Sequence, residues 1–230
     1  MSSSWLVVVV AAFATWVSVC GLNDDITRNE PRGDKCGDDL KWSLESGVLT
    51  ISGTGAMTDF NSSSDAPWSG DGPGIETVII DDGVTTIGNY AFADCIDIKT
   101  INVGASLTSV GDYAFAWCSF LDDIQWNASV ETIGEFAFYL CDKLNESAIH
   151  RILKGVETIG TDAFSYTGIK QLDIPDSVKS IGNSAFESCM HLEAVNISSS
   201  VEFIGDNPFR GCTYLAEINV SAENSHYIDK

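Results

Sequence analysis

The feature that most constrains the fold is a segment of about 23 residues that occurs six times along the chain. The phenylalanines of successive copies are 23, 23, 26, 22 and 23 residues apart, at Phe92, Phe115, Phe138, Phe164, Phe186 and Phe209. A Gly and the aliphatic residue before it follow the same spacing. Such a period is typical of a solenoid, because one repeat cannot bury its own apolar face and must stack on its neighbours.

The second half of each copy predicts a β-strand. In the fifth copy Leu192, Val195 and Ile197 are apolar, and the last three residues alternate apolar, polar, apolar, which is the period of a strand with one buried face. The first half predicts a second buried apolar pair, followed by a Gly that turns the chain because Gly takes positive φ freely. After the Gly we expect one helical or 3₁₀ turn that inserts the Phe into the core.

The pattern Val-x-x-Ile-Gly-x-x-Ala-Phe-x-x-Cys-x-x-Leu-x-x-Ile-x-Ile resembles the BspA-like class of leucine-rich repeat. The resemblance covers about Ile75 to Val220. It implies a β-rich solenoid with six repeats, in which parallel strands stack coil on coil and short helical or 3₁₀ turns join them. It also implies an amino-terminal cap. Residues 40–44 and 48–51, joined by Glu45-Ser46-Gly47, predict the β-hairpin of that cap.

The third copy departs from the pattern. It is three residues longer than its neighbours, and residues 145–154 break the strand alternation. We expect a bulged loop on one rim, which is either a local binding feature or a tolerated insertion, and the pattern favours the insertion. The fourth copy has Thr167 where the others have Cys.

The amino-terminal residues predict export. The stretch from Trp5 to Cys20 has no charged side chain, and about fifteen apolar residues suit a signal peptide cut before Gly21 rather than a membrane span. An uncleaved anchor is the alternative. We therefore divide the chain into a signal peptide (1–20), a linker (21–35), the β cap (36–74), the repeats (75–220) and a tail or truncated start of a further module (221–230). We expect an extracellular or cell-surface protein with no membrane span in the mature chain.

Five sequons are consistent with export and mark possible N-glycosylation sites, at Asn61, Asn127, Asn145, Asn196 and Asn219. Five cysteines share one position, three residues after the Phe, and should form a column: Cys95, Cys118, Cys141, Cys189 and Cys212. Buried free thiols are favoured over disulfides between adjacent coils.

Charge and motifs argue against several functions. A net charge of −21, from 33 acidic and 12 basic residues, opposes binding to nucleic acid. The three His residues lie far apart in the coil order, and the sequence contains no nucleophile elbow, phosphate loop or His-Glu-x-x-His motif. One Cys per coil does not surround a zinc ion, and no Cys-x-x-Cys pair exists. We therefore expect no enzyme, no cofactor and no metal.

The outward-facing residues of the strands are the candidate binding residues. Stacking of the coils should align them in two columns that form one face: Thr100, Asn102, Asp123, Gln125, Gln171, Asp173, Ala194, Asn196, Glu217 and Asn219. A polar ladder of this kind is also what any solvated strand face carries. Glycans on Asn196 and Asn219 would obstruct the carboxyl-terminal part of the face.

The resemblance also carries an expected function. BspA-like proteins occur in host-associated bacteria and parasitic protists, and some are adhesins toward extracellular-matrix proteins. The resemblance implies a non-catalytic repeat protein that binds a protein partner, such as a matrix or host surface protein, through its strand-lined face. The alternative is a structural repeat module, or a fragment of a larger surface protein, with no ligand of its own.

Overall fold

A computed structural model describes residues 35–71 and 74–227 of the chain. The predicted signal peptide at 1–20 and residues 21–34 of the predicted linker lie outside the described residues, so these assignments stay predictions. Across the two described ranges, no helix combines the length and the apolar character needed to cross a bilayer.

The stack begins with a β-hairpin. Strands β1 (Leu40–Glu45) and β2 (Val48–Gly53) pair antiparallel, and the turn between them has positive φ at Ser46 and Gly47. One face of the hairpin is buried because apolar residues alternate along both strands. Strand β2 then pairs in parallel with β4 (Thr77–Ile80), the first strand of the solenoid. The hairpin predicted from the sequence is therefore present.

We number the coils by their phenylalanines, from the first (Phe92) to the sixth (Phe209). One side of the coils is formed by long strands, which make two separate parallel sheets beyond the hairpin. The long strands after β4 are β6 (Thr100–Val103), β8 (Asp123–Trp126), β11 (Gln171–Ile174), β13 (Ala194–Ile197) and β15 (Glu217–Val220). The first sheet has the order β1-β2-β4-β6-β8 and the second has the order β11-β13-β15. We call their outward surface the long-strand face.

The other side of the coils is a single seven-stranded parallel sheet that continues through every coil. Its strands are β3 (Gly55–Ala56), β5 (Val84–Ile87), β7 (Ser109–Val110), β9 (Thr132–Ile133), β10 (Thr158–Ile159), β12 (Ser180–Ile181) and β14 (Phe203–Ile204). Each inward aliphatic residue, such as Ile133, pairs in register with that of the next coil, Ile159. The predicted fold class, a β-solenoid with parallel strands stacked coil on coil, is confirmed.

In the third coil a helix, α1 (Glu146–Ile152), takes the place of the long strand. The predicted bulged loop is therefore wrong. Asn145 caps the helix, because its Oδ1 accepts a hydrogen bond of 3.1 Å from the Ala148 N–H. Ala148, Ile149 and Ile152 are buried, as the helical period requires of one apolar face. Seven helical residues span about 10 Å against about 13 Å for a four-residue strand, which is why this coil needs extra residues.

The core is a column of stacked rings. Adjacent phenylalanines from Phe92 to Phe209 have centroid separations of 5.1–5.9 Å, with planes within 21° of each other. The first five are fully buried. Trp68 extends the column into the cap, 5.5 Å from Phe92, and its Nε1–H donates to the Ala91 carbonyl at 2.8 Å. The column of stacked rings therefore begins in the cap, before the first copy of the sequence repeat.

The Gly that follows the inward aliphatic residue does not act by positive φ, so that part of the sequence interpretation is wrong. It is needed because adjacent coils approach too closely for a side chain. A Cβ added at Gly134 would lie 2.6 Å from the carbonyl carbon of Gly111, and one at Gly182 would lie 2.6 Å from that of Gly160. No real Cβ tolerates such a distance from backbone, so only Gly fits.

Positive φ occurs at two other positions of each turn, which are mostly not Gly. In the second coil these are Tyr113 and Trp117, with φ of 56° and 64°. The N–H groups of Tyr113, Phe115 and Trp117 donate to carbonyls of the third coil at 2.7–2.8 Å. The segment around each Ala-Phe pair is therefore a series of hydrogen-bonded turns, not the predicted helical or 3₁₀ turn. Its N–H groups connect each coil to the next.

The described cysteines are unpaired thiols. Those of Cys118, Cys141, Cys189 and Cys212 donate hydrogen bonds to the preceding coil. The Sγ of Cys118 donates to the Phe92 carbonyl and that of Cys141 to the Phe115 carbonyl, both at 3.2 Å. Thr167 replaces Cys in the fourth coil, and its hydroxyl donates to the Phe164 carbonyl at 2.9 Å. Burial, with a smaller contribution from Asp94, raises the pKa of Cys95 to about 12. Burial also raises the pKa of Cys118 and Cys141, so these three buried thiols are protonated and unreactive at neutral pH.

Candidate protein-binding face

The first sheet brings together the amino-terminal part of the predicted face. Thr100 pairs in register with Asp123, and Asn102 pairs with Gln125. Asp123 and Gln125 are exposed, whereas Thr100 and Asn102 are half-buried. The Gln125 Nε2–H donates to the Asp123 Oδ1 at 3.1 Å, which links the two columns. Of these four polar side chains, the two that are exposed thus lie on β8, the last strand of the sheet.

The second sheet brings together the remaining predicted residues. Gln171, Ala194 and Glu217 form one column. Asp173, Asn196 and Asn219 form the other, in which the Asn196 Nδ2–H donates to the Asp173 Oδ1 at 2.6 Å and the Asn219 Nδ2–H donates to the Asn196 Oδ1 at 3.0 Å. Such a ladder fixes the side chains of three coils in one orientation, so little side-chain entropy remains to be lost on binding.

Helix α1 divides the predicted face into two parts. Because it lies between β8 and β11, the columns do not continue from Gln125 to Asp173 as the sequence suggested. The break in the strand alternation at residues 145–154 marked the place of this division, but it did not show that a helix separates the two sheets. Each part of the face therefore has its own geometry.

A groove lies at the division, between α1 and β11. It has a volume of about 340 Å³ and is lined by Glu146, Ser147, Ile149, His150, Arg151, Gln171, Leu172 and Asp173. Only Gln171 and Asp173 were predicted as binding residues, and the helical residues were missed. Its lining mixes two acidic side chains with two basic or titratable ones and a few apolar groups, which suits recognition of a peptide or protein surface.

The two walls of the groove differ in how their polar groups are satisfied. The Arg151 Nη1–H donates to the Ile124 carbonyl at 2.8 Å, so the guanidinium covers the edge of β8. The Asn145 Nδ2–H donates to the carbonyl of Asp122, the residue just before β8, at 3.4 Å. On the opposite wall, the side chain of Asp173 is engaged by Asn196 within the second sheet.

Over residues 35–71 and 74–227, no three His, Cys, Asp or Glu side chains lie together in a way that would hold a metal ion. Four sequon asparagines are exposed, at 61, 127, 196 and 219, and Asn145 is half-buried as the cap of α1. Asn196 and Asn219 lie within the ladder of the second sheet, so glycans there would cover that part of the face.

Among solved structures, the chain is similar to two bacterial leucine-rich repeat proteins. The protein from Eubacterium ventriosum is 25% identical with a TM-score of 0.54, over 87% of this chain and 47% of its own. The protein from Bacteroides ovatus is 25% identical with a TM-score of 0.56, over 80% of this chain and 46% of its own. The chain thus spans about half the length of these proteins. No curated protein sequence matches it.

A family match covers the whole solenoid. The BspA type leucine rich repeat region matches in six copies, over residues 71–154 and 150–230. These residues include every long strand from β4 to β15, helix α1 and the column of phenylalanines. The sequence period, the stacked core and this match agree, and the chain belongs to the BspA-type leucine-rich repeat family.

Proposed function

We propose that this is a secreted or cell-surface protein without catalytic activity that binds another protein through its long-strand face, as an adhesin does. The observation that carries the proposal is the set of in-register polar side chains on each of the two long-strand sheets. The groove at α1 lies between these two sets, and hydrogen bonds hold their exposed side chains in fixed orientations. Repeat proteins commonly use such extended sheets to bind partners. A net charge of −21 favours a basic partner surface.

A second candidate is a structural module within a longer surface protein. The observation that favours it is the apolar surface left at the sixth coil, where Ile218 is 50% exposed although its register partner Val195 is fully buried. A further coil would cover this surface. The solved relatives are about twice as long as the chain, which agrees with that role.

The proposed function is tested by measuring binding of the full mature chain to a panel of purified extracellular-matrix proteins. We expect saturable binding to at least one of them. Asp173→Arg and Gln125→Arg should each weaken this binding about tenfold, because each places a positive charge within the polar columns, where we propose that a basic partner surface binds.

Two controls match these variants in charge but lie on the opposite side of the coils. Glu131→Arg matches Asp173→Arg in charge change, and Thr158→Arg matches Gln125→Arg. Glu131 precedes β9 and Thr158 is on β10, and both residues are exposed. Neither should change the affinity. Absence of saturable binding, or an equal loss in the controls, would remove the support for the long-strand face.

A further inference from the structure

The division of the long-strand sheet leaves two strand edges in the middle of the molecule. Strand β8 ends the first sheet and β11 begins the second, and a helix with no strand hydrogen bonds lies between them. An unpaired strand edge presents a row of N–H and C=O groups that another strand can pair with. The two edges can therefore be compared with the same positions in the regular coils.

In the regular coils, the N–H of the first residue of a long strand such as β6 or β8 donates to a carbonyl of the coil before it. The Thr100 N–H donates to the Glu76 carbonyl at 3.2 Å and the Asp123 N–H to the Lys99 carbonyl at 3.1 Å. Just after the strand, the Gly104 N–H donates to the Ile80 carbonyl at 2.8 Å. These bonds define the direction in which the edge of β11 would donate.

The edge of β8 is covered, but the edge of β11 is not. Arg151 supplies the donor for the Ile124 carbonyl, which in a regular coil would be met by the next strand. Within the described chain, the N–H groups of Gln171 and Asp173 make no hydrogen bond to the third coil. Both residues are exposed and line the groove.

The sequence of the fourth coil agrees with an edge strand at this point. Pro175 occupies the position at which Gly104 in the first coil and Asn127 in the second donate an N–H to the preceding strand. Proline has no N–H and is found in sheets on edge strands. Position 175 therefore has no N–H to leave unpaired, whereas the N–H groups of Gln171 and Asp173 face the groove.

We propose that the edge of β11 accepts an extended segment of the partner protein as an added β-strand, with the main chain of Gln171 and Asp173 forming the new hydrogen bonds. This rests on the proposed function and specifies the form in which the partner is recognised. The strand is four residues long, so the added segment is short. Main-chain bonds give the affinity, and the helical wall of the groove, with Glu146, His150 and Arg151, selects the side chains.

The first test is amide hydrogen exchange of the full chain, read by NMR. In the free protein the amides of Gln171 and Asp173 should exchange much faster than those of Asn102 and Asn196, their equivalents in paired strands. Exchange as slow at Gln171 and Asp173 as at Asn102 would mean that the edge is not open, and would overturn the proposal.

The second test adds a peptide that copies residues 99–105, because β6 lies on the side of β8 that corresponds to the open edge of β11. Saturating peptide should slow exchange at Gln171 and Asp173 about tenfold or more. The matched control is the same peptide with methylated amide nitrogens at the positions of Ile101 and Val103, which removes its strand donors and should give no protection. No protection by the first peptide, or equal protection by both, would overturn the proposal.

A pair of protein variants separates backbone from side-chain recognition. Asp173→Pro removes the edge N–H and should abolish peptide binding, whereas Asp173→Ala keeps that N–H, loses only the contribution of the side chain and should still bind, with thermal unfolding checked for both. If a matrix protein binds the wild type and Asp173→Pro equally, the proposed function stands and strand addition is wrong. If no matrix protein binds but the peptide does, the proposed function fails instead.

Discussion

The third coil and the fifth coil share one side and differ completely on the other. In both, the Phe ring stacks between its neighbours, with separations of 5.2 and 5.3 Å around Phe138 and 5.5 and 5.9 Å around Phe186. In both, the short strand pairs in register with the coils on either side. On the long-strand side the fifth coil has β13, whereas the third has α1.

The difference shows which part of a coil sets the register. The ring column and the short strands hold the stack together even where no long strand is present. The long-strand side is free to change its secondary structure, provided that apolar side chains such as Ile149 and Ile152 still cover the core. Variation is therefore possible on the surface where we propose that a partner binds.

The largest effect is expected from removing a ring of the shared column. Phe138→Ala should lower the free energy of unfolding by about 3–5 kcal/mol, because the ring is fully buried between Phe115 and Phe164. Urea unfolding of both proteins measures it. Phe120→Ala is the control, since that ring is 52% exposed and its loss should cost little. A loss below about 1 kcal/mol for Phe138→Ala would contradict the shared column.

A smaller loss is expected at the close approach between coils. Gly134→Ala should destabilise the chain by about 1–3 kcal/mol, since its Cβ would press on the backbone of Gly111 while the Gly134 N–H is held by the Val110 carbonyl at 2.9 Å. Gly70→Ala is the matched control, because an added Cβ there meets no atom within 4 Å. Equal unfolding midpoints for the two variants would show that coil spacing does not require Gly.

The covered edge of β8 should give a change specific to the third coil. Arg151→Ala removes the donor to the Ile124 carbonyl and should cost about 1 kcal/mol, measured by urea unfolding. Arg210→Ala serves as the comparison, because Arg210 is mostly exposed and its Nε lies 3.9 Å from Glu187. An effect no larger than that of Arg210→Ala would mean that the helix does not depend on this bond.

The smallest effect concerns the turn of the fourth coil. Burial raises the pKa of Asp162, although its hydrogen bond from Ser165 opposes the shift. A carboxyl with a raised folded-state pKa destabilises the fold once it ionises, so the wild type should lose stability as pH rises past the usual Asp pKa and through the raised value. Asp162→Asn should remove this dependence and gain less than about 0.5 kcal/mol at pH 7, by urea unfolding. A wild type whose stability rises over that window would contradict the shift.

Much of the fold could be predicted because it depends on one residue per coil at a fixed spacing. Phe92 and its equivalents repeat at about 23 residues, and any stack of such coils must align them in a column. The same reasoning gave the register of Thr100 with Asp123 and of Asp173 with Asn196. Trp68 was missed because it lies outside the repeat and differs in residue type.

The helix and the groove could not be predicted from the strand pattern, although the sequence carries their signals. Asn145 before Glu146 is a helix start, and Ala148, Ile149 and Ile152 have helical spacing. A seven-residue segment is too short for either period to decide alone, so its neighbours' strands dominated the interpretation. The role of Gly134 depends on the distance between coils, which sequence spacing does not contain.

The division of the long-strand sheet is tested most directly by introduced cysteine pairs on this face. Asn102→Cys with Gln125→Cys should form a disulfide readily, because the two residues are register partners on adjacent strands about 4.8 Å apart. Gln125→Cys with Asp173→Cys should not, because α1 lies between their strands. The native thiols Cys95, Cys118 and Cys141 should not interfere, because they are buried and burial raises their pKa. Efficient linkage of Gln125→Cys to Asp173→Cys would mean that β8 and β11 pair directly, with residues 145–154 looped out, and would contradict the divided sheet.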